Sequence, residues 1–198
     1  MNSIIALGET PLFLENLRSK TRQEHTKLET LPLSKAIVSK DLSASDYIRY
    51  LRLMYNVVEQ VERTVFPVLR DVVPDMDLRY KLHLIENDLL FLSAEVPQRL
   101  EVLDLPKTID IQFAMGIAYV IEGSTLGGRF ILNNVTDVLA LDPQNGASYF
   151  AGYQNATGSY WKNFLAAMFQ FSSEEHQDAI VSGARFAFQS IYEHLKHD

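Results

Sequence analysis

The chain of 198 residues contains no cysteine and only one tryptophan. The absence of cysteine excludes disulfides, thiolate metal sites and a cysteine nucleophile. No apolar run reaches the ~20 residues that a membrane-spanning helix needs, and polar or charged residues interrupt the most apolar stretch, residues 109–132. The first residues also lack the basic segment of a signal peptide. We therefore expect a cytoplasmic protein that does not bind to membranes.

Basic residues are in the minority, with 18 against 25 acidic residues and a net charge of −7. This balance argues against general nucleic-acid binding, although a small anionic ligand needs only a local basic cluster. Hydrophobic residues make up 47% of the chain, which fits a compact domain with a sizeable core. No repeat, low-complexity tract or linker divides the sequence, so we predict one domain over residues 1–198.

Apolar residues recur at helical spacing along the chain, and no alternating strand pattern is present, so we predict an all-α fold. A first helix is predicted to begin at Thr10-Pro11, where a hydroxyl cap precedes proline. Its inner face comprises Leu14, Leu17, Thr21, His25 and Leu28. Box-like pairs at Ser43 with Asp46 and at Ser172 with Glu175 indicate two further helix starts.

The helix from Ser43 is predicted to end or kink near Pro67 because proline lacks the backbone N–H donor. The remaining predicted helices span Asp77 to Leu92 with Leu78 turned inward, about Thr108 to Leu141 with a bend, Thr157 or Ser159 through Met168, and a last helix to about His194.

Three glycines within six residues, Gly123, Gly127 and Gly128, interrupt the predicted helix from Thr108. Each interior glycine costs a helix about 1 kcal/mol relative to alanine. Helical spacing gives one nearly flat face that comprises Gly116, Val120, Gly123, Ser124, Gly127 and Ile131. Either a second helix packs closely in a Gly-xxx-Gly groove, or a flat ligand lies against this face. The adjacent pair of glycines favours the ligand slightly.

His25 is the one histidine predicted on an apolar helix face. A lone histidine in this setting is more often a hydrogen-bonded core residue than a metal ligand, but imidazole is also a standard axial ligand of haem iron. His83, His176, His194 and His197 have no comparable setting. Both interpretations of His25 remain open on the residues alone.

Two stretches of the chain, Leu17–Glu29 and Tyr119–Gly128, resemble the haem oxygenases, particularly their bacterial branch. A looser match, Gly158–Leu165, is similar to the family's late aromatic helix. Length, the absence of cysteine and the order of the motifs agree along essentially the whole chain. The second stretch is the most specific, and it follows the first by about a hundred residues, as in the family.

The resemblance implies a helical bundle that holds haem between a proximal N-terminal helix and a bent, glycine-rich distal helix. His25 matches the proximal iron ligand. Gly123 and Gly127 match the distal glycines, with Gly128 following. Ser124 stands where many animal relatives carry aspartate, so the anchor of the distal water network is left open.

The resemblance also implies partners for the haem propionates, which need cationic or hydroxyl groups. Arg18 matches a basic propionate-binding position, and Tyr119 matches a tyrosine found near a propionate in some bacterial members. Lys162 is a positional guess in the late helix. A solvated surface arginine is an equally good interpretation of Arg18 from sequence alone.

The implied activity is the oxidative opening of haem, as both cofactor and substrate, to biliverdin, carbon monoxide and ferrous iron with O2. No flavin or nucleotide motif is visible, so electrons are expected from an external ferredoxin, flavodoxin or reductase. A bilin-accepting protein is left open as a further partner.

Two rival functions remain. One is a haem-binding carrier or sensor on the same fold without turnover. The other is a non-haem relative, either a thiamin-degrading enzyme, which the lack of cysteine excludes, or a di-iron oxidase. A di-iron site requires Glu59, Glu62, Glu86 and Glu122 to converge with a histidine, and no Glu-x-x-His pair supports it. Glu62 and Glu122 are more simply expected to be hydrogen-bonded within the bundle.

Overall fold

The computed structural model describes residues 12–197, and this part of the chain is helical without a strand. The all-α prediction is therefore confirmed. The α-helices are α1 (Leu12–Glu29), α2 (Pro32–Ala36), α3 (Ala44–Thr64), α4 (Phe66–Leu69), α5 (Leu82–Phe91), α6 (Ile111–Leu139), α7 (Ser148–Ala151), α8 (Thr157–Gln170) and α9 (Gln177–Lys196). Across residues 12–197 we find no helix both long and apolar enough to cross a bilayer.

Local capping explains where two of the long helices begin. The Ser43 hydroxyl accepts a hydrogen bond from the backbone N–H of Asp46 at 3.1 Å and so caps α3, as predicted. Asp110 caps α6 in the same way, with its carboxylate 2.7 Å from the backbone nitrogen of Phe113. The helix that begins at Ala44 ends at Thr64, and α4 begins at Phe66, so helical structure is interrupted just before Pro67, as predicted. The predicted start at Thr10-Pro11 lies outside the described residues.

Two of the local predictions are wrong. The Ser172–Glu175 box does not form. Ser173 directly precedes the next helical turn, and the Ser172 hydroxyl donates to the carbonyl of Phe169 at 3.1 Å. A 3₁₀ turn then precedes α9, which begins at Gln177. Leu78 was predicted to face inward but is 66% exposed. It lies in a separate 3₁₀ turn, and the helical periodicity resumes only with α5 at Leu82.

The α6 helix runs through the centre of the bundle, and every residue from Ala114 to Glu122 is buried. Its closest neighbour is α9. A Cβ atom on Gly116 would lie 2.0 Å from the carbonyl oxygen of Ile180, and one on Gly183 would lie 2.1 Å from that of Phe113. The two backbones therefore touch. Because α1 also packs on α9, α9 is the common support on which the two motif-bearing helices rest.

Candidate functional site

His25 projects from α1 at the edge of the core, with 54% of its side chain exposed. Leu14, Leu17 and Thr21 on the predicted inner face are buried. The imidazole meets the ring of Phe188 on α9 edge-on, with centroids 5.4 Å apart. Its Nδ1 lies 3.6 Å from a carboxylate oxygen of Glu29. The interpretation of His25 as a core residue is therefore wrong, and an external ligand can reach the ring.

Arg18 on α1 and Tyr119 on α6, which are 101 positions apart in the sequence, lie close enough for the guanidinium to act on the phenol. Burial raises the pKa of the Tyr119 phenol, and the neighbouring Arg18 guanidinium partly opposes this. The structure thus pairs two of the three residues predicted to meet propionates. Lys162 is exposed on α8, and no described contact joins it to this pair.

Gly127 and Gly123 present the open surface of α6. A Cβ atom added at Gly127 would have no heavy atom within 4 Å beyond its own helix backbone, and one at Gly123 would lie 3.5 Å from the indole of Trp161. Trp161 in turn contacts Tyr119, with ring centroids 5.5 Å apart. Nothing from the described part of the chain fills the space at Gly127, so helix packing does not account for this glycine.

Gly116 and Gly128 have a different role, because both are buried against backbone. Gly116 contacts α9, as described above, and a Cβ on Gly128 would lie 3.0 Å from the carbonyl oxygen of Phe150 in α7. The close-packing alternative is therefore right for these two glycines. Gly128 was predicted as a site residue, but its contact is with α7, about 100° round the helix from Gly127.

Hydroxyl groups line the segment between the glycines. Ser124 donates to the carbonyl of Ile121 at 2.7 Å, and Thr125 donates to the carbonyl of Glu122 at 2.6 Å. Such back-bonding to the preceding turn competes with the helix ladder and favours bending. The helix is nevertheless continuous across the glycines, from Ile111 to Leu139.

A buried cluster of charged groups lies directly beside the glycine segment, and sequence analysis missed its partners. Glu122 is 1% exposed and binds Arg79, which is fully buried. It also accepts from Lys81 at 2.7 Å and from the Tyr153 hydroxyl at 2.9 Å. The available signal was a glutamate inside the most apolar stretch of the chain. Nothing local in the sequence identifies its partners, which lie 31 to 43 positions away.

These contacts leave no room for a di-iron centre at Glu122. No group of three or more histidine, aspartate or glutamate side chains within residues 12–197 could hold a metal ion. Glu62 instead accepts hydrogen bonds from the backbone N–H groups of Lys81 and Leu82. Both glutamates are hydrogen-bonded inside the bundle, as expected.

A cleft of about 550 Å³ lies elsewhere, between α3 and residues 101–109. Its lining includes Glu101, Asp104 and Lys107 and contains no histidine. The cleft therefore offers no imidazole to a haem iron and only one cation to the propionates, so it is not the candidate site.

Comparison with known proteins gives a consistent result. A family model described as "Heme oxygenase" matches residues 12–197. The fold is similar to that of the heme oxygenase from Neisseria meningitidis, solved with NO and CO bound, with 22% identity, a TM-score of 0.80 and coverage of 95% of this chain and 92% of that one. The Leptospira interrogans enzyme gives 17% identity and a TM-score of 0.77, covering 94% of this chain and 99% of that one.

A third similar structure is heme oxygenase-1 from the cyanobacterium Synechocystis in complex with heme, with 16% identity and a TM-score of 0.70. This match covers 93% of this chain and 91% of that one. No curated protein sequence matches significantly.

Proposed function

The chain belongs to the haem oxygenase family, whose members open haem oxidatively with O2, and on this premise we propose that it holds haem between α1 and α6. The observation that carries this proposal is the unfilled space at Gly127 on α6, together with a half-exposed imidazole on α1.

His25 is the proposed iron ligand. Its Nδ1 faces the carboxylate of Glu29 at 3.6 Å, which favours a proton on Nδ1 and leaves Nε2 free to bind metal. Edge-on contact with Phe188 limits rotation of the ring. Glu29 and Phe188 therefore orient the imidazole before haem arrives.

Arg18 and Tyr119 are the proposed partners of a propionate. A guanidinium can bind a carboxylate through two parallel N–H donors, and a phenol adds a third donor. Because the two side chains are neighbours, one propionate can meet both of them. Lys162 stays a more distant proposal, since it is exposed on α8.

Gly123 and Gly127 are the proposed distal wall. Without side chains, the backbone can approach the haem face closely, and any larger residue at Gly127 would occupy that space. The Ser124 hydroxyl already donates its hydrogen to Ile121. The Ser124 oxygen can therefore accept a hydrogen bond from an ordered distal water, but the hydroxyl has no hydrogen left to donate to it. Gly128 acts one step away, by letting α6 approach α7.

Bound haem supplies both the iron that binds O2 once reduced and the ring that is opened. The protein's own task is to orient the ring and to exclude competing chemistry. Electrons are proposed to come from a ferredoxin, flavodoxin or reductase, and the bilin product is proposed to leave for an acceptor. We also propose a cytoplasmic location and a single domain over the chain.

Replacing His25 tests the site. Haemin bound to the wild-type protein should give the spectrum of a histidine-ligated haem. His25→Ala should lose that spectrum and regain it when free imidazole is added. His83→Ala removes an exposed imidazole from α5 and is the matched control, with a wild-type spectrum expected. An unchanged spectrum in His25→Ala would reject the proposed ligand.

Adding reductant and O2 to the wild-type haemin complex distinguishes a haem oxygenase from the rival carrier or sensor. A carrier or sensor would show the histidine-ligated spectrum but would give no biliverdin with reductant and O2. A haem oxygenase should give both the histidine-ligated spectrum and biliverdin.

A further inference from the structure

The charged groups around Glu122 form a fully connected cluster, which we call the α6 anchor: Arg79, Lys81, Glu122 and Tyr153. Lys81 uses all three of its N–H donors, on the carbonyl of Arg79 at 2.9 Å, on Glu122 at 2.7 Å and on the Tyr153 hydroxyl at 2.7 Å. The Tyr153 hydroxyl passes its own hydrogen to the carboxylate of Glu122 at 2.9 Å. Each acceptor and donor of the Lys81–Tyr153–Glu122 triangle is therefore satisfied.

The charges of the cluster are balanced by one further carboxylate. Arg79 donates from Nε to Asp75 at 2.8 Å, besides its contact with Glu122. Burial alone would lower the pKa of the Arg79 guanidinium, but the charges of Glu122 and Asp75 outweigh that effect and raise it. The two cations thus face two carboxylates, and a buried arrangement of this kind is stable only while every charge keeps its partner.

The α6 anchor holds the chain on both sides of the contact between Gly123 on α6 and Trp161 on α8. On one side, Glu122 immediately precedes Gly123 in α6. On the other, Arg79 donates from Nη2 to the carbonyl of Tyr160 at 2.9 Å, and Tyr160 immediately precedes Trp161. The Tyr160 ring is stacked on Tyr153, with centroids 4.0 Å apart and planes 3° apart. One cluster therefore fixes the residues next to Gly123 and next to Trp161.

We propose that Glu122 is a positioning residue for haem oxygenation. Through Arg79, Lys81 and Tyr153 it fixes the rotation of α6 about its axis and sets the gap between Gly123 and Trp161. Successive helical residues are about 100° apart, so a small rotation of α6 would turn the glycine face away from the slot. The proposal rests on the proposed haem site, since it assigns Gly123 and Gly127 to the distal wall.

A second contact fixes the far end of the glycine segment. Gly128 packs on the carbonyl of Phe150 in α7, and α7 is held by buried Asp88, which accepts from the backbone N–H groups of Ser148 and Tyr149 at 2.8 and 2.9 Å. The glycine wall thus lies between two fixed points. Loss of the α6 anchor releases only one of them. The contacts of Gly116 with α9 and of Gly128 with α7 then keep α6 folded while the segment around Gly123 shifts.

Two variants test the proposal. Glu122→Gln keeps the size of the side chain and removes its charge. Tyr153→Phe removes the hydroxyl that accepts from Lys81 and donates to Glu122, and it leaves no buried charge unpaired. Glu59→Gln is the matched control: Glu59 is also buried, at 3% exposure, and is ion-paired to Arg63 and Arg99 on α3 and the segment after α5. It does not belong to the α6 anchor.

Two readouts report position and not merely stability. Trp161 is the only tryptophan, so the fluorescence of the haem-free protein measures its surroundings. The stretching frequency of CO bound to the ferrous haem complex measures the distal wall. Circular dichroism and urea unfolding show in parallel whether each variant is folded.

The expected result is a shifted Trp161 emission and a shifted, broadened CO band in folded Glu122→Gln, a smaller shift of the same sign in Tyr153→Phe, and wild-type values in Glu59→Gln. Folded variants of Glu122 and Tyr153 with wild-type emission and CO band would overturn the proposal. If wild-type protein binds no haem, the proposed function fails instead, and the Trp161 emission still tests the α6 anchor by itself.

Discussion

Replacing Gly127 with alanine should stabilise the haem-free protein and at the same time weaken haem binding. An added Cβ would have no heavy atom within 4 Å beyond its own helix backbone, so no clash opposes it. Gly127 is an interior residue of α6, where alanine is favoured over glycine by about 1 kcal/mol. For a chain of this length, that gain corresponds to a rise in Tm of roughly 2–4 °C.

Gly116→Ala is the control, because the same change should do the opposite there. Its Cβ would come within 2.0 Å of the carbonyl oxygen of Ile180 and 2.6 Å of the backbone nitrogen of Ala184. Backbone atoms of a packed helix cannot move aside cheaply, and overpacking of this kind costs about 3 kcal/mol or more. The gain from helix propensity is too small to offset that cost, so Gly116→Ala should lower the Tm.

Haem affinity is then measured by titration, using quenching of Trp161 and growth of the Soret band. If the backbone at Gly127 touches the haem face, the methyl group of alanine displaces the ligand at a cost of about 1–3 kcal/mol. The affinity should fall by roughly 5- to 150-fold, and Gly127→Leu should lose ring opening while retaining some haem. Wild-type haem affinity in Gly127→Ala, or a lowered Tm, would refute the reasoning.

Three further predictions concern groups around the site. Burial raises the pKa of Glu62 from 4.5 to about 7. Between these pH values the native state holds a proton that the unfolded chain releases, so the free energy of unfolding falls by up to about 3 kcal/mol as pH rises from 4.5 to 7. Glu62→Gln should remove this fall in urea unfolding measured across that range, and an unchanged pH profile would contradict the assignment. Asp88→Ala leaves the N-terminus of α7 uncapped and should lower the free energy of unfolding by about 2 kcal/mol, measured in urea. A decrease below 0.5 kcal/mol, about the lower end of the range for helix caps, would contradict the capping role. Haemin should quench Trp161 emission almost completely in the wild-type protein, and weak quenching at saturation would place haem away from Gly123.

Local signals were enough to predict most of the helices and the two motif-bearing segments. The Ser43 cap, the break before Pro67 and the start of α8 at Thr157 depend on residues close in sequence. Ser172 shows the limit of such signals, because its neighbour Ser173 is the residue that directly precedes the next helical turn. Which of two adjacent serines takes that position depends on the path of the chain, which a capping pattern does not contain.

The glycines show what sequence spacing cannot resolve. Gly116, Gly123 and Gly127 share one helical face, yet Gly116 touches α9, Gly123 approaches Trp161, and Gly127 is open. They differ because α9 packs on α6 at Gly116 and α8 packs on it at Gly123, while neither helix reaches Gly127. The predicted roles of His25, Arg18 and Ser124 toward haem stay predictions, although the structure places Arg18 beside Tyr119.

The α6 anchor was beyond sequence reasoning for a similar reason. Arg79, Lys81 and Tyr153 read as ordinary polar residues of loops, and only the fold brings them to Glu122. A glutamate within an apolar stretch indicates that it has polar partners, because an unpaired buried carboxylate is too costly. The sequence does not identify those partners.

The most direct test of the account is turnover by the purified protein loaded with one equivalent of haemin. After addition of a reductant under O2, the optical spectrum should lose the Soret band and gain the broad band of biliverdin, with release of carbon monoxide. The same experiment with His25→Ala should give neither a histidine-ligated starting spectrum nor biliverdin. A stable Soret band in the wild-type protein, with haem reduced and O2 present, would contradict the central claim.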